Sequence, residues 1–322
     1  MIKKKVPFIT FCTKINLNES KFYFPFISSL IPGNNLLWRT YIKFLWKFVY
    51  IKSIIKLFFG FMDFFNISHI SLMVRYAYRN DIPIFSIWNF KRCSHFGWKD
   101  YPELILSPMA FDFVREYSFN QIYLGPVVEL NRLDLNNKIF LNSGLYKLIK
   151  SHTSHINIIF CSMGSYDFKY TKRRINFYLQ ILKIFQNRDD LVLIVSTGKN
   201  IDPLAFKFKA KNIFVYQNIP QIQVLKKVDL MINHGGMQSV TECIMLEVPM
   251  LIFPLNPNLD QNGNAARAVY HKVGLRGNLK KDSPKIIEQK IDHLLTKRTY
   301  FVNNIKKLRE KMIGSGDFEK GL

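Results

Sequence analysis

Apolar residues in the second half of the chain come in short unbroken runs, each followed by a stretch in which they recur every three or four positions. The runs are INIIFCS (156–162), LVLIVST (191–197), IFVYQ (213–217), DLMIN (229–233) and PMLIFP (249–254). Runs of this length without alternation suit strands buried on both faces. Helical periodicity covers 171–187, a short segment after NIPQ, the stretch from Met237 to about residue 246, and 260–272, 284–296 and 299–312. Strands that alternate with helices in this way predict an α/β fold with a parallel sheet flanked by helices. Ligands of such sheets sit at the carboxyl ends of the strands.

The first half is less regular. VPFITF (6–11), IPIFSIW (82–88), ELILSP (103–108) and QIYLGP (121–126) read as short strands, the last two stopped by proline. Helices are expected over 36–61 and 66–79. Residues 127–154 are polar, irregular and rich in Asn, so the domain boundary is expected there. The expected organisation is a domain over 1–130, a linker over 131–154 and a second domain over 155–322. A chain of 322 residues with 48% hydrophobic content is long enough for two cores.

The helix expected over 36–61, LLWRTYIKFLWKFVYIKSIIKLFFGF, combines aromatic residues with Arg39, Lys43, Lys47, Lys52 and Lys56. That frequency of charge argues against a transmembrane span, which tolerates few charges over about 20 residues. Two readings stay open: a surface for a membrane or a lipophilic acceptor, and a core helix whose lysines reach out to water.

Charge and cysteine usage narrow the partners. The formal net charge is +23, spread over both halves, although residues 1–62 hold ten basic groups and one acid, Glu19. Such a chain suits anionic partners. No RNA- or DNA-binding motif accompanies the charge, so no nucleic-acid partner is expected. The four cysteines, Cys12, Cys93, Cys161 and Cys243, lie far apart without metal-ligand spacing. A reducing, cytoplasmic compartment is the expectation, peripheral to the inner face of a membrane if the aromatic helix binds one.

The densest candidate chemistry is NHGGMQSVTE (233–242), which follows the run DLMIN. Gly235 and Gly236 leave room for close approach to the backbone. The helix that starts there offers free amides to an anion. His234 and Ser239 can add hydrogen bonds to phosphate oxygens. Glu242 lies three residues beyond Ser239 on the same helix face, where a carboxylate suits a sugar diol better than a phosphate. Asp260 and Gln261 follow the next run, and QNIPQ and CSMGS end two others. Each feature alone is ordinary structure; what counts is that several neighbouring strand ends carry small or polar residues together.

HGGMQSVTECIMLEVPMLIFPLNPNLDQNGNAARA resembles the donor-binding signature of the UDP-glycosyltransferases of the two-domain GT-B fold, glycosyltransferase family 1. CSMGS, NIPQ and SPMAFDFVREYSFNQIYLGP (107–126) are similar to other parts of its bacterial members, among them macrolide- and carotenoid-glycosylating enzymes. The resemblance implies two Rossmann-like domains and inverting transfer of a hexose from a UDP-sugar to a hydroxyl of a small lipophilic acceptor. It implies no cofactor beyond the UDP-sugar co-substrate, and no metal. His234, Gly236 and Ser239 would hold the diphosphate, with Ser165 near it and Gly235 in the same donor site. Glu242 would take the ribose hydroxyls, Asp260 and Gln261 the donor sugar, and Ile219 and Gln221 the nucleobase. Gly236-Met237 stands where plant members have Trp-Asn, so sugar preference does not carry over.

The family's catalytic base is a His in a Gly-His-x-x-Pro context early in the N-terminal domain, and none of the seven histidines here has that context. The expectation is therefore an N-terminal domain that lacks its start, and a catalytic residue that stays unassigned. A donor-binding remnant without transferase activity stands as the alternative to an active enzyme.

Overall fold

The structure, a computed structural model, describes residues 9–13, 19–20, 22–25, 27–33, 35–62, 69–83, 89, 101–113, 121–132, 146, 156–164, 168–206 and 210–314. The chain divides into two compact units, Met1–Val127 with Met312–Leu322, and Val128–Lys311. Most of the stretch expected as a linker, and most of IPIFSIW, lie outside the described residues.

The first unit holds a three-stranded parallel sheet of β1 (Thr10–Cys12), β2 (Glu103–Ile105) and β3 (Gln121–Tyr123), in that order. The strands are shorter than the apolar runs predict. Prolines 108 and 126 lie just beyond β2 and β3 and remove ladder donors there. Two helices accompany the sheet, α1 (Leu36–Met62) and α2 (His69–Arg79). Helix α1 buries Ile42 and Trp46, and the Trp46 indole donates to Tyr23 O at 2.9 Å.

The second unit is built on a six-stranded parallel sheet. Its strands are β4 (Asn157–Ser162), β5 (Leu191–Ser196), β6 (Ile213–Tyr216), β7 (Leu230–Asn233), β8 (Met250–Ile252) and β9 (Gly274–Arg276). The order is β6-β5-β4-β7-β8-β9. The chain thus lays three strands outward on one side, returns to the middle, and lays three on the other. Ser162 and Asn233, the last residues of β4 and β7, pair at that switch point. The inner strands are buried, while the edge strand β6 is only half-buried. Strand β9 is absent from the expected elements. It is three residues long, starts with a glycine and lacks an apolar run. Gly274 is needed there because a side chain would overlap Met250 O of β8.

Helices cover the sheet: α3 (Thr171–Phe185), the short α4 (Gln221–Leu225), α5 (Met237–Met245), α6 (Gln261–Tyr270), α7 (Pro284–Thr296) and α8 (Arg298–Gly314). Helix α3 turns Phe177, Tyr178, Ile181, Leu182 and Phe185 inward, the periodicity that predicts it. Helix α7 starts at Ser283, whose hydroxyl accepts from Ile286 N, with Pro284 in the first turn. Arg188, just beyond α3, bridges Asp190 to Glu288 and Asp292 of α7. The Cys161 and Cys243 thiols are fully buried, and burial pushes both pKa values up, so neither is a ready nucleophile.

Phe253 is fully buried, with its ring centroid 4.7 Å from that of Phe177, and its edge fills the space that Gly277 leaves. Phe253→Ala is expected to lower stability by about 3–5 kcal/mol. Urea unfolding followed by circular dichroism measures this, and a loss below about 1 kcal/mol would contradict the packing described.

Candidate functional site

Where β4 and β7 diverge from the switch point, their carboxyl ends open a cleft of about 400 Å³. That volume is within the usual range of small-molecule sites. Ser162 and Gly164 enter it from β4, Ser196 from β5 and Ile219 from the loop after β6. His234 enters from β7 and Leu255 from the loop after β8.

Buried polar groups hold these loops in place. Tyr178 OH accepts from Met163 N at 3.0 Å and donates to Ser196 O at 3.0 Å, which ties the ends of β4 and β5 together. Burial pushes the phenol pKa up, so the group stays protonated and keeps both bonds. Arg174, fully buried on α3, donates to Gly164 O at 2.5 Å. Asn264 Nδ2 of α6 donates to Gly235 O at 2.8 Å, and Asn233 Oδ1 accepts from Gly235 N at 2.7 Å. Gln261 Oε1 accepts from Leu255 N and Asn256 N at 2.7 and 2.8 Å. Its amide oxygen therefore shapes the loop after β8, and Gln261 itself lines the cleft.

The glycines are required by geometry. Gly164 and Gly235 have φ of +77° and +83°. A Cβ on Gly164 would stand 2.9 Å from His234 Cε1, and one on Gly236 2.8 Å from His234 Nε2. The imidazole is thus pinned between two loops that only glycine allows so close. A Cβ on Gly235 would meet Gln261 O at 2.9 Å. Gly236 is also the N-cap of α5 and offers no side chain to its first turn. The leading amides of the helix are left for another partner, beside His234 and Ser239.

Of the residues singled out from sequence, Ile219, Gln221, His234, Ser239 and Gln261 line this one cleft, and Gly235 and Gly236 form its turn. Ser165 lies outside the described residues. Asp260 precedes α6 and accepts from Asn264 Nδ2 at 3.0 Å. Glu242 is fully buried and already bonded. Arg132 Nη1 lies 2.8 Å from its Oε1, Gln238 Nε2 3.1 Å from Oε1, and Gln221 Nε2 2.5 Å from Oε2. Gln221 Nε2 also reaches Ser239 Oγ at 3.1 Å. Arg132, Tyr178, Arg174 and Asn264 are missing from the sequence reading. Arg132 lies 110 residues from Glu242 in the chain, and no local pattern joins them. Among the described residues no group of three or more His, Cys, Asp or Glu is arranged to hold a metal ion.

Residues 158–315 match the family model described as the glycosyltransferase family 28 C-terminal domain. The uncharacterized UDP-glucosyltransferase YojK of Bacillus subtilis is 28% identical over 166 residues, which cover 51% of this chain and 38% of the relative. The zeaxanthin glucosyltransferase of Pantoea ananas is 30% identical over 119 residues, covering 37% of this chain and 26% of the relative. The matches span well under half of these relatives. Among solved structures, the glycotransferase of kitacinnamycin superposes with a TM-score of 0.63 at 18% identity, over 84% of this chain and 64% of that one. The chain therefore has the α/β fold of the GT-B glycosyltransferases, parallel sheets flanked by helices, with a match to the glycosyltransferase family 28 C-terminal domain over residues 158–315.

Proposed function

We propose that the unit Val128–Lys311 binds the nucleoside diphosphate of a UDP-sugar, and that the protein transfers the hexose to a hydroxyl of a small lipophilic acceptor. The observation that carries the reading is the His234 imidazole, held between Gly164 and Gly236 beside the open N-terminus of α5 at the switch point of the sheet. An anion there meets helix amides, an imidazole and the Ser239 hydroxyl at once. These groups offset the diphosphate charge, so the reading needs no metal or other cofactor. Ile219 and Gln221 stand on the nucleoside side, and Gln261 with Asp260 on the sugar side. Ser165 belongs with the phosphate loop by its place in CSMGS. The names of the relatives support a UDP-sugar donor, and the zeaxanthin enzyme supports a lipophilic acceptor. The narrower placing in glycosyltransferase family 1 rests on the sequence resemblance.

In the reaction, the acceptor oxygen attacks the anomeric carbon from the face opposite the leaving group. The bond to the diphosphate breaks, UDP departs with the electron pair, and configuration inverts. The acceptor proton passes to a general base, a role we assign to none of the cleft residues, since His234 serves the donor. Donor binding without transfer is the second reading, since the groups that line the cleft all serve the donor.

Helix α1 supplies a contact surface. Phe44, Phe48, Ile51, Ile55 and Phe59 are exposed, interleaved with the exposed bases Arg39, Lys43, Lys47 and Lys52. Apolar rings with basic neighbours suit the headgroup region of an anionic bilayer, where each base adds about 1 kcal/mol. No helix of the described residues is long and apolar enough to cross a membrane. A peripheral place on the inner face of the membrane follows from this reading.

Calorimetry with UDP and UDP-sugars, together with turnover on a panel of hydroxylated acceptors, tests the donor site. His234→Ala and Ser239→Ala should each weaken UDP binding by about tenfold or more, as expected for lost hydrogen bonds to a charged group. If neither change alters the affinity of a folded protein, the site is misassigned. Binding without turnover would favour the second reading. Flotation with vesicles should carry the protein upward with phosphatidylglycerol and leave it behind with phosphatidylcholine. Equal behaviour with both lipids removes the membrane contact.

A further inference from the structure

Helix α3 begins Thr171, Lys172, Arg173, Arg174, and no acidic residue stands in its first turn. The positive end of a helix dipole disfavours bases there, so local preference does not account for the pair of arginines. Groups outside the helix do. Arg174 donates to Gly164 O in the loop after β4. Arg173 Nη1 donates to Leu255 O at 3.2 Å, in the loop after β8 and 82 residues away in the chain. Neighbouring residues of one helical turn thus hold two loops that both line the cleft.

The grip on Leu255 is built from several groups. The Arg173 guanidinium lies over the Tyr170 ring, 5.1 Å from its centroid, which limits where the planar group can point. Tyr170 OH lies 3.5 Å from Oδ1 of Asn256, the residue after Leu255. From the other direction, Gln261 Oε1 of α6 accepts from Leu255 N and Asn256 N. The amide and the carbonyl of Leu255 are therefore held by different helices. Leu255 is buried, and with Leu259 and Gln261 it forms the part of the cleft wall that the loop after β8 supplies.

Resting on the donor-site reading above, we propose that Arg173 is a positioning residue: through the Leu255 carbonyl it holds the loop after β8 at a fixed distance from the loop after β4, where the hexose of the donor lies. The diphosphate and the nucleoside meet other elements, the turn at His234, the start of α5 and the loop at Ile219. Release of the Arg173 tether then loosens the hexose side of the cleft and leaves the nucleotide side in place.

The test compares UDP with UDP-glucose by calorimetry, a pair that differs only in the hexose. Arg173→Met, which keeps the bulk and removes the donor, should weaken UDP-glucose binding by about fivefold or more and change UDP binding by less than about twofold. Arg173→Lys keeps a charged donor within reach of the carbonyl and should restore most of the UDP-glucose affinity. An equal loss for both nucleotides in Arg173→Met marks a merely structural role and overturns the proposal, as does no loss for either. A lysine variant as weak as the methionine one also overturns it. If Arg173→Met fails to fold, Tyr170→Leu decides: it removes the ring beneath the guanidinium and should lower UDP-glucose binding by about threefold relative to UDP, and an unchanged ratio counts against the proposal. A wild-type chain that binds UDP and not UDP-glucose overturns the placing of a hexose at this loop. A wild-type chain that binds neither is a different result, which sinks the donor-site reading and this inference with it.

Discussion

The parallel pairing of β4 with β7, which sets Ser162 beside Asn233, is the contact on which the cleft depends. Strands β5 and β6 extend the sheet away from it on one side, and β8 and β9 on the other. The loops that leave β4 and β7 must then part in opposite directions. The gap between them is where a ligand can approach both loops at once. Without that register, His234 would not come between Gly164 and Gly236, and the amides of α5 would not share a space with Ser196 and Ile219.

Holding such a gap open needs rigid edges. Tyr178 spans the ends of β4 and β5, Arg174 fixes the Gly164 carbonyl, and Asn264 and Asn233 grip Gly235 from either side. Each of these side chains meets backbone groups that would otherwise be buried without partners, at a cost of about 1–3 kcal/mol apiece. The same bonds that stabilise the loops therefore hold the cleft in a shape ready for a ligand. Glu242 shows the converse. A buried carboxylate requires compensation, and the groups that provide it, Arg132, Gln238 and Gln221, also limit what the carboxylate can still accept.

The two units differ in how far their surfaces are satisfied. Val128–Lys311 encloses long buried strands among helices whose apolar faces turn inward. In the other unit, α1 buries Ile42 and Trp46 but leaves many large apolar side chains exposed among basic ones. Its sequence carried two readings, a core helix and a contact surface. Phe44, Phe48 and Phe59 are exposed on it, and the proposed contact surface rests on them.

Much of the second unit was legible in the sequence, because strands buried on both faces must be apolar throughout and their covering helices must be amphipathic. That is why the runs 156–162, 191–197, 213–217, 229–233 and 249–254 each contain an observed strand. Strand β9 escaped because an edge strand of three residues that starts with Gly274 needs no apolar run. His234, Gly235, Gly236 and Ser239 were legible because the glycines and the helix start are neighbours in the chain. Glu242 was singled out for the same reason, but its state was not: whether a carboxylate is free or saturated depends on what reaches it from elsewhere. Arg132, more than a hundred residues away, comes to Glu242 only through the folding of the unit. Sequence by itself thus determined five of the six strands, their alternation with helices and the glycine turn, since these follow from local patterns in the chain. Tertiary structure alone decided which donors fill the buried carboxylate, because that depends on packing between residues with no sequence relation.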